Sequence, residues 1–242
     1  MIKAVLFDLD DTLLRLNLTA FLGRYANGVS GLLSRAARVN RLRVAAAIGE
    51  GWLAAEGERR RDHMTNAELM DQLMLKRCGI RMDEPCMREL VDFYEAEFVP
   101  GLGGGIVRAE PMPGAHAAVD ACWDAGLTCA LATNPVLSLA CDRARLGWAG
   151  FDETEFALIS TAQNSTRAKP WAEYYTEFCG RLGFLPEECL MVGNDAKRDF
   201  PHPECGVRTV YVGHAKPTRA VWSGHMRDLA AALPRILDAC AD

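Results

Sequence analysis

The chain has 242 residues, 50% of them hydrophobic and 24% charged, the balance of a folded globular protein. This excludes a disordered chain, a collagen-like fibre and a bare coiled coil, and at roughly 100–200 residues per domain it fits one large or two modest domains. Lys and Arg number 27 against 32 Asp and Glu, a net charge of −5, which gives no general support for a nucleic-acid partner.

Ala4, Val5, Leu6 and Phe7 form a short apolar run rich in strand formers, as a central parallel strand requires, and a strand is expected over residues 3–9. The run is too short, and too acidic at its end, for a signal peptide. No window holds about 18 uninterrupted apolar residues, so no membrane span and a cytoplasmic location are expected. From residue 18 to 98 the pattern is helical. Thr65 to Glu68 reads as a capping box with Gly79 as the stop, and another helix is expected over about 84–98. The glycine-rich stretch 100–105 reads as a flexible hinge, since it lacks the third glycine of a dinucleotide fingerprint.

Beyond Pro111 helix and strand alternate. A helix follows Pro113-Gly114 and ends near Gly126, and residues 127–132 read as a strand. Pro135 and Gly147 are expected to bound a helix, residues 156–159 look strand-like, and Pro170 and Gly183 bound another helix. Residues 189–192 and 207–212 are two more short apolar strands before a C-terminal helix that includes Leu229 and Leu237. Such alternation implies an α/β fold, a Rossmann-like three-layer core with a parallel sheet between helices. The simplest assembly joins residues 1–15 and 108–242 into a catalytic core and makes 16–107 a helical cap inserted after the first strand. The nine cysteines contain no C-x-x-C spacing and read as buried, reduced thiols. Nothing in the sequence specifies an oligomeric state.

Ligands of open parallel sheets bind beyond the carboxyl ends of the strands. Three of those ends are polar here: Asp8, Asp10, Asp11 and Thr12 after the first, Thr133 and Asn134 after the next, and Asn194, Asp195 and Asp199 after 189–192. Lys169 precedes Pro170 between them. A single aspartate at a strand end usually caps a turn; this many polar positions on three ends make a site. If strand alternation continues, Asp8 and Asp10 share a side and Asp11 points away. Crowded carboxylates need a cation or a proton, and with Asp195 added the all-oxygen set suits Mg²⁺ best.

These motifs, Asp8-x-Asp10-x-Thr12, Thr133, Lys169-Pro170 and Gly193-Asn194-Asp195 with Asp199, resemble in order and context the four motifs of the haloacid dehalogenase (HAD) superfamily. The insertion resembles a C1 helical cap. The resemblance implies that Asp8 is the nucleophile, forming an aspartyl-phosphate, and that Asp10 is the general acid and then the base. It implies that Thr133 and Asn134 bind the phosphoryl oxygens and that Lys169 offsets charge at the nucleophile. Mg²⁺ would be held by Asp8, the Asp10 carbonyl and Asp195, with Asn194 as an alternative ligand and Asp199 acting through water or bracing Lys169. The expected activity is a Mg²⁺-dependent phosphatase acting on a small phosphorylated metabolite. A 2-haloacid dehalogenase would not need Asp10, a phosphomutase would keep both aspartates, and a non-catalytic member would have lost Asp8 or Lys169.

Two departures stand out. Asn194 intervenes where many relatives have Gly-Asp, and Pro201 and Pro203 forbid a regular helix after Phe200, leaving His202 and Cys205 as a loop and not a metal pair. Residues 18–61 carry eight arginines (24, 35, 38, 41, 43, 59, 60 and 61) against three acids. A basic face could steer an anionic substrate, but charge runs are more often solvated.

Overall fold

A computed structural model of the protein describes residues 1–57 and 60–241. Five parallel strands form one sheet in the order β4-β1-β5-β6-β7, from β1 (Ala4–Phe7), β4 (Thr128–Leu131), β5 (Cys189–Gly193), β6 (Arg208–Val212) and β7 (Trp222–Gly224). Val5 and Phe7 of β1 enter one apolar cluster, while Ala4 and Leu6 enter the other. Both faces are therefore covered, which is why β1 is apolar at every position and does not alternate. The helices α5 (Ala115–Asp124), α6 (Leu139–Ala149) and α8 (Met226–Ala239) pack on the first face, and α7 (Ala172–Leu182) covers the second.

Between β2 (Leu14–Arg15) and β3 (Glu110–Pro111), which pair antiparallel, lie α1 (Leu18–Ala37), α2 (Arg41–Ala55), α3 (Asn66–Cys78) and α4 (Pro85–Glu97). The capping box of α3 forms as its sequence demands: Thr65 Oγ1 accepts from the Glu68 N–H, the Glu68 carboxylate accepts from the Thr65 N–H, and Gly79 ends the helix in the left-handed region. Among the described residues no helix is long and apolar enough to cross a membrane.

Several expectations are corrected. The first strand ends at Phe7, not at residue 9, because the chain turns: the Thr12, Leu13 and Leu14 N–H groups all return to the Leu9 carbonyl. The helix expected from Pro135 begins at Leu139, since Val136 closes a tight turn onto Asn134 and Ser138 supplies the cap by accepting from the Cys141 N–H. It runs past Gly147 to the left-handed Gly150. Residues 156–159 form no named strand but run beside β4, with the Ala157 N–H donating to the Cys129 carbonyl, the Leu131 N–H to the Leu158 carbonyl, and a bridge between Leu131 and Ile159. The expected hinge is a 3₁₀ turn over Val99–Gly103, tied down by Trp148 Nε1 donating to the Pro100 carbonyl and by Arg24 donating to the Leu102 and Gly104 carbonyls.

Three arginines of the basic stretch are spent on structure. Arg41 donates to the Asn27 carbonyl and side chain, Arg24 to the turn just described, and Arg60 to Asp62, Met64 and Asn66. Arg59 lies outside the described residues. All nine cysteines are free thiols, most of them buried.

Candidate active site

A cavity of about 250 Å³ opens at the carboxyl end of the sheet. Asp8 stands one residue past β1, where Thr12 Oγ1 donates to its Oδ2 at 3.1 Å and Lys169 Nζ to its Oδ1 at 2.6 Å. Lys169 is buried and also donates to Asp199 Oδ1 at 2.6 Å. Burial alone would lower the Lys169 pKa, but the carboxylates of Asp199 and Asp8 outweigh it and raise the ammonium's pKa. Burial pushes the Asp199 carboxyl up to about 6 against the pull of Lys169. The second Asp199 oxygen accepts the Asp195 N–H, so Asp199 braces Lys169 and the following turn.

Asp10 is held differently. Its Oδ2 accepts from Arg145 Nη1 at 2.6 Å, while its Oδ1 is buried and has no partner among the described residues. Burial raises its pKa, the Arg145 cation pulls it back, and neighbouring Asp8 adds to the rise. Arg145, on α6, is among the largest fully buried side chains. It bonds Asp142 one turn back and Thr133 Oγ1 at 3.4 Å, and its guanidinium lies 6.0 Å over the ring of Phe21 of α1. Burial pushes the Asp142 carboxyl up to about 6 despite that cation.

The expected site residues fall as follows. Asp8, Asp10, Asn134, Lys169, Asn194, Asp195 and Asp199 all line the cavity. Asp11 lines it too, contrary to the alternation argument, because the strand has ended and Asp11 adopts a left-handed backbone with φ 57°. Thr133 is buried and is not on the cavity wall. Asn134 Nδ2 donates to Glu56 Oε1 at 2.6 Å, and Asn194 Oδ1 accepts from Thr12 Oγ1 at 3.2 Å. Asp195 Oδ1 accepts the Lys197 N–H at 2.8 Å and thereby caps its turn.

Three further groups were not expected from the sequence. Arg145 gives no motif signal, being one charge on an amphipathic helix. Glu56, just past α2, reaches down to Asn134 and to Arg198, which it pairs with at 3.2 Å, and its carbonyl accepts Trp171 Nε1 at 2.8 Å. Trp52, Leu18 and Leu22 add an apolar roof from the helical insertion.

The cavity wall carries six carboxylates (Asp8, Asp10, Asp11, Glu56, Asp195, Asp199) against three cations (Arg145, Lys169, Arg198). A phosphate would be repelled by that excess unless a cation accompanied it. The donors are all oxygen, which fits Mg²⁺. Among the described residues no three His, Cys, Asp or Glu side chains are grouped closely enough to hold an ion alone. One or two carboxylates with carbonyl, water and phosphate oxygens is the usual Mg²⁺ arrangement, and the wall carries carboxylates of the kind it uses.

The architecture matches solved structures over nearly its full length. A HAD phosphatase from Thermococcus onnurineus aligns at 19% identity and a TM-score of 0.56, covering 98% of this chain and 99% of that one. CbbY from Rhodobacter sphaeroides, solved with phosphate, aligns at 19% and 0.57, covering 95% and 96%. A β-phosphoglucomutase from Clostridium difficile aligns at 14% and 0.58, covering 100% and 98%. At these identities the likeness is one of fold. No curated protein matches the chain. The family model for haloacid dehalogenase-like hydrolases, however, matches residues 2–201, a span that holds every strand-end group described above, and on that match the chain belongs to the haloacid dehalogenase-like hydrolases.

Proposed function

We propose that the protein is a Mg²⁺-dependent phosphomonoester hydrolase that works through an aspartyl-phosphate on Asp8. The observation that carries this reading is the pair of carboxylates two residues apart with opposite treatment: Asp8 is fixed by Lys169 and Thr12, while one Asp10 oxygen has no partner among the described residues.

Asp8, the carbonyl of Asp10, and Asp195 or Asn194 would hold Mg²⁺, which when bound supplies positive charge against the phosphoryl oxygens. An Asp8 carboxylate oxygen attacks phosphorus as the ester P–O bond breaks. The departing alkoxide takes a proton from Asp10. That proton belongs on Oδ1, because Oδ2 can keep accepting from Arg145 whether the carboxyl is neutral or ionised. Burial, which raises the Asp10 pKa, favours the proton-bearing form. Ionised Asp10 then takes a proton from water as that water attacks the aspartyl-phosphate, which releases inorganic phosphate and restores both carboxyls. Lys169 offsets the charge gathered at Asp8 throughout. A dehalogenase would have no use for Asp10, since halide leaves unprotonated.

Purified protein with p-nitrophenyl phosphate and a panel of phosphorylated metabolites is expected to show turnover with Mg²⁺ that EDTA abolishes. Asp8→Asn should lose at least about 10³-fold in kcat, as expected when an essential nucleophile is removed. No Mg²⁺-dependent turnover across the panel would sink this reading. Chloride release from 2-chloropropionate without Mg²⁺ would favour the dehalogenase instead.

Glu56 offers a milder test. In Glu56→Ala the Asn134 amide and Arg198 lose their partner at the cavity mouth, so KM is expected to rise several-fold. The melting temperature should change little, because partly exposed ion pairs are worth about 1 kcal/mol or less. An unchanged KM on every substrate would remove Glu56 from substrate binding.

A further inference from the structure

A second cavity, of about 90 Å³, lies between the helical insertion and the segments around Val136 and Ala162, and its apolar wall includes Leu33, Ile48, Met70, Met74, Met82 and Val91. It shares Trp52, Val136 and Leu137 with the catalytic cavity, so these three side chains form a partition between the two spaces.

The polar side chains buried in its wall already have partners. Asn66 Nδ2 donates to the Pro135 and Arg167 carbonyls. Glu95 accepts from Tyr25 Oη and from Ser138 Oγ, each at 2.6 Å. Among the described residues the buried side-chain atoms without a partner belong to Asp10, Asn134, Asp142 and Arg145, and none of these residues lines the inner chamber. The two spaces thus differ in kind: unsatisfied polar atoms gather around the catalytic groups, while the second cavity is lined mainly by aliphatic and thioether side chains, its polar members including the mutually paired Asp71 and Arg88. The apolar majority of that lining suits a hydrocarbon ligand. Its methionines can reshape around a flexible chain.

We infer that this chamber receives the carbon tail of the substrate, so that the preferred esters are phosphates of apolar alcohols whose alkyl chain passes the Trp52–Leu137 partition. The inference rests on the hydrolase reading above. At about 30 Å³ for each water-sized group, the space holds roughly three methylene groups.

The test is a series of straight-chain alkyl phosphates from ethyl to octyl with Mg²⁺, together with the matching alkylphosphonates, which cannot be hydrolysed, titrated calorimetrically into the Asp8→Asn protein. Once the chain reaches the partition, kcat/KM and phosphonate affinity are expected to rise about fourfold per added methylene over some three methylenes, then level off. Gly51 backs onto Met70, and a β-carbon at position 51 would push that thioether into the chamber. Gly51→Ala should therefore flatten the chain-length dependence while activity on ethyl phosphate is retained. Should that variant fail to fold, Met74→Ala enlarges the chamber and should move the plateau to a longer chain. Phosphonate affinity independent of chain length would overturn the chamber, whatever the turnover. Length-dependent phosphonate binding without turnover of any ester would support the chamber and overturn the hydrolase reading alone.

Discussion

Arg145→Met is expected to destabilise the protein by about 3–5 kcal/mol, because it leaves the buried Asp142 carboxylate and the half-buried Asp10 carboxylate without their shared cation. For a chain of this size that is a fall of roughly 10 °C in melting temperature. Asp142 would lose the one side-chain partner it has among the described residues, and Asp10 the donor to its Oδ2. The effect should depend on pH with a definite sign. The Asp142 carboxyl already stands at about 6 because of burial, opposed by Arg145; without that cation it must rise further. A carboxyl whose folded pKa is raised above its unfolded value binds more protons when folded, so its contribution is present below about pH 4 and is lost as pH rises through the folded pKa. The deficit of Arg145→Met should therefore be smallest near pH 4 and largest at pH 8, read from denaturant midpoints across that range. Arg145→Lys restores the charge without the planar fork and should recover part of the loss. A variant as stable as the parent at pH 8 would show that Arg145 does not neutralise this pair.

The catalytic consequence follows from the same geometry. With Oδ2 no longer held, Asp10 has no donor to fix its orientation, and kcat should fall more than KM rises on every ester. Equal losses in kcat on Arg145→Met and Arg145→Lys would indicate that orientation by the two-pronged guanidinium matters more than charge.

The site was legible in the sequence where chemistry is tied to strand ends. Asp8, Asn134 and Asn194 each follow an apolar run short enough to be a buried parallel strand, and the rule that ligands gather at carboxyl ends brings them together. Lys169 was found by its place before Pro170, and the geometry adds its second carboxylate, Asp199. Arg145 and Glu56 were not legible, because each acts across a long separation in sequence: Arg145 on Asp10 from α6, Glu56 on Asn134 from the end of α2. Neither spacing nor periodicity records such a contact. Local signals also misled where two competed. Pro135 looked like a helix start, yet Ser138 three residues later held the hydroxyl that caps α6. The glycines of 100–105 suggested freedom, but tertiary bonds from Trp148 and Arg24 hold that turn.

Lys169→Met is expected to lower kcat by about 10²–10³-fold, the usual loss when one preorganised charge is removed from a reacting centre. Lys169 is the sole cation bonded to Asp8 among the described residues, and it bonds Asp199 equally closely. In its absence two buried carboxylates remain on an already anionic wall, and an incoming phosphate meets uncompensated charge. KM should therefore rise as well, and raising Mg²⁺ should recover part of the KM but little of kcat, since a bound cation would not restore the ammonium's hydrogen bonds to Asp8 and Asp199. Asp199→Asn separates bracing from charge. The amide still accepts from Lys169, so the lysine stays near Asp8, and the loss in kcat should be about tenfold or less. If Asp199→Asn proves as damaging as Lys169→Met, Asp199 acts on the reacting groups directly. If Lys169→Met retains kcat within tenfold of the parent, the charge on Lys169 is not what sustains attack by Asp8, and the proposed chemistry loses its electrostatic support.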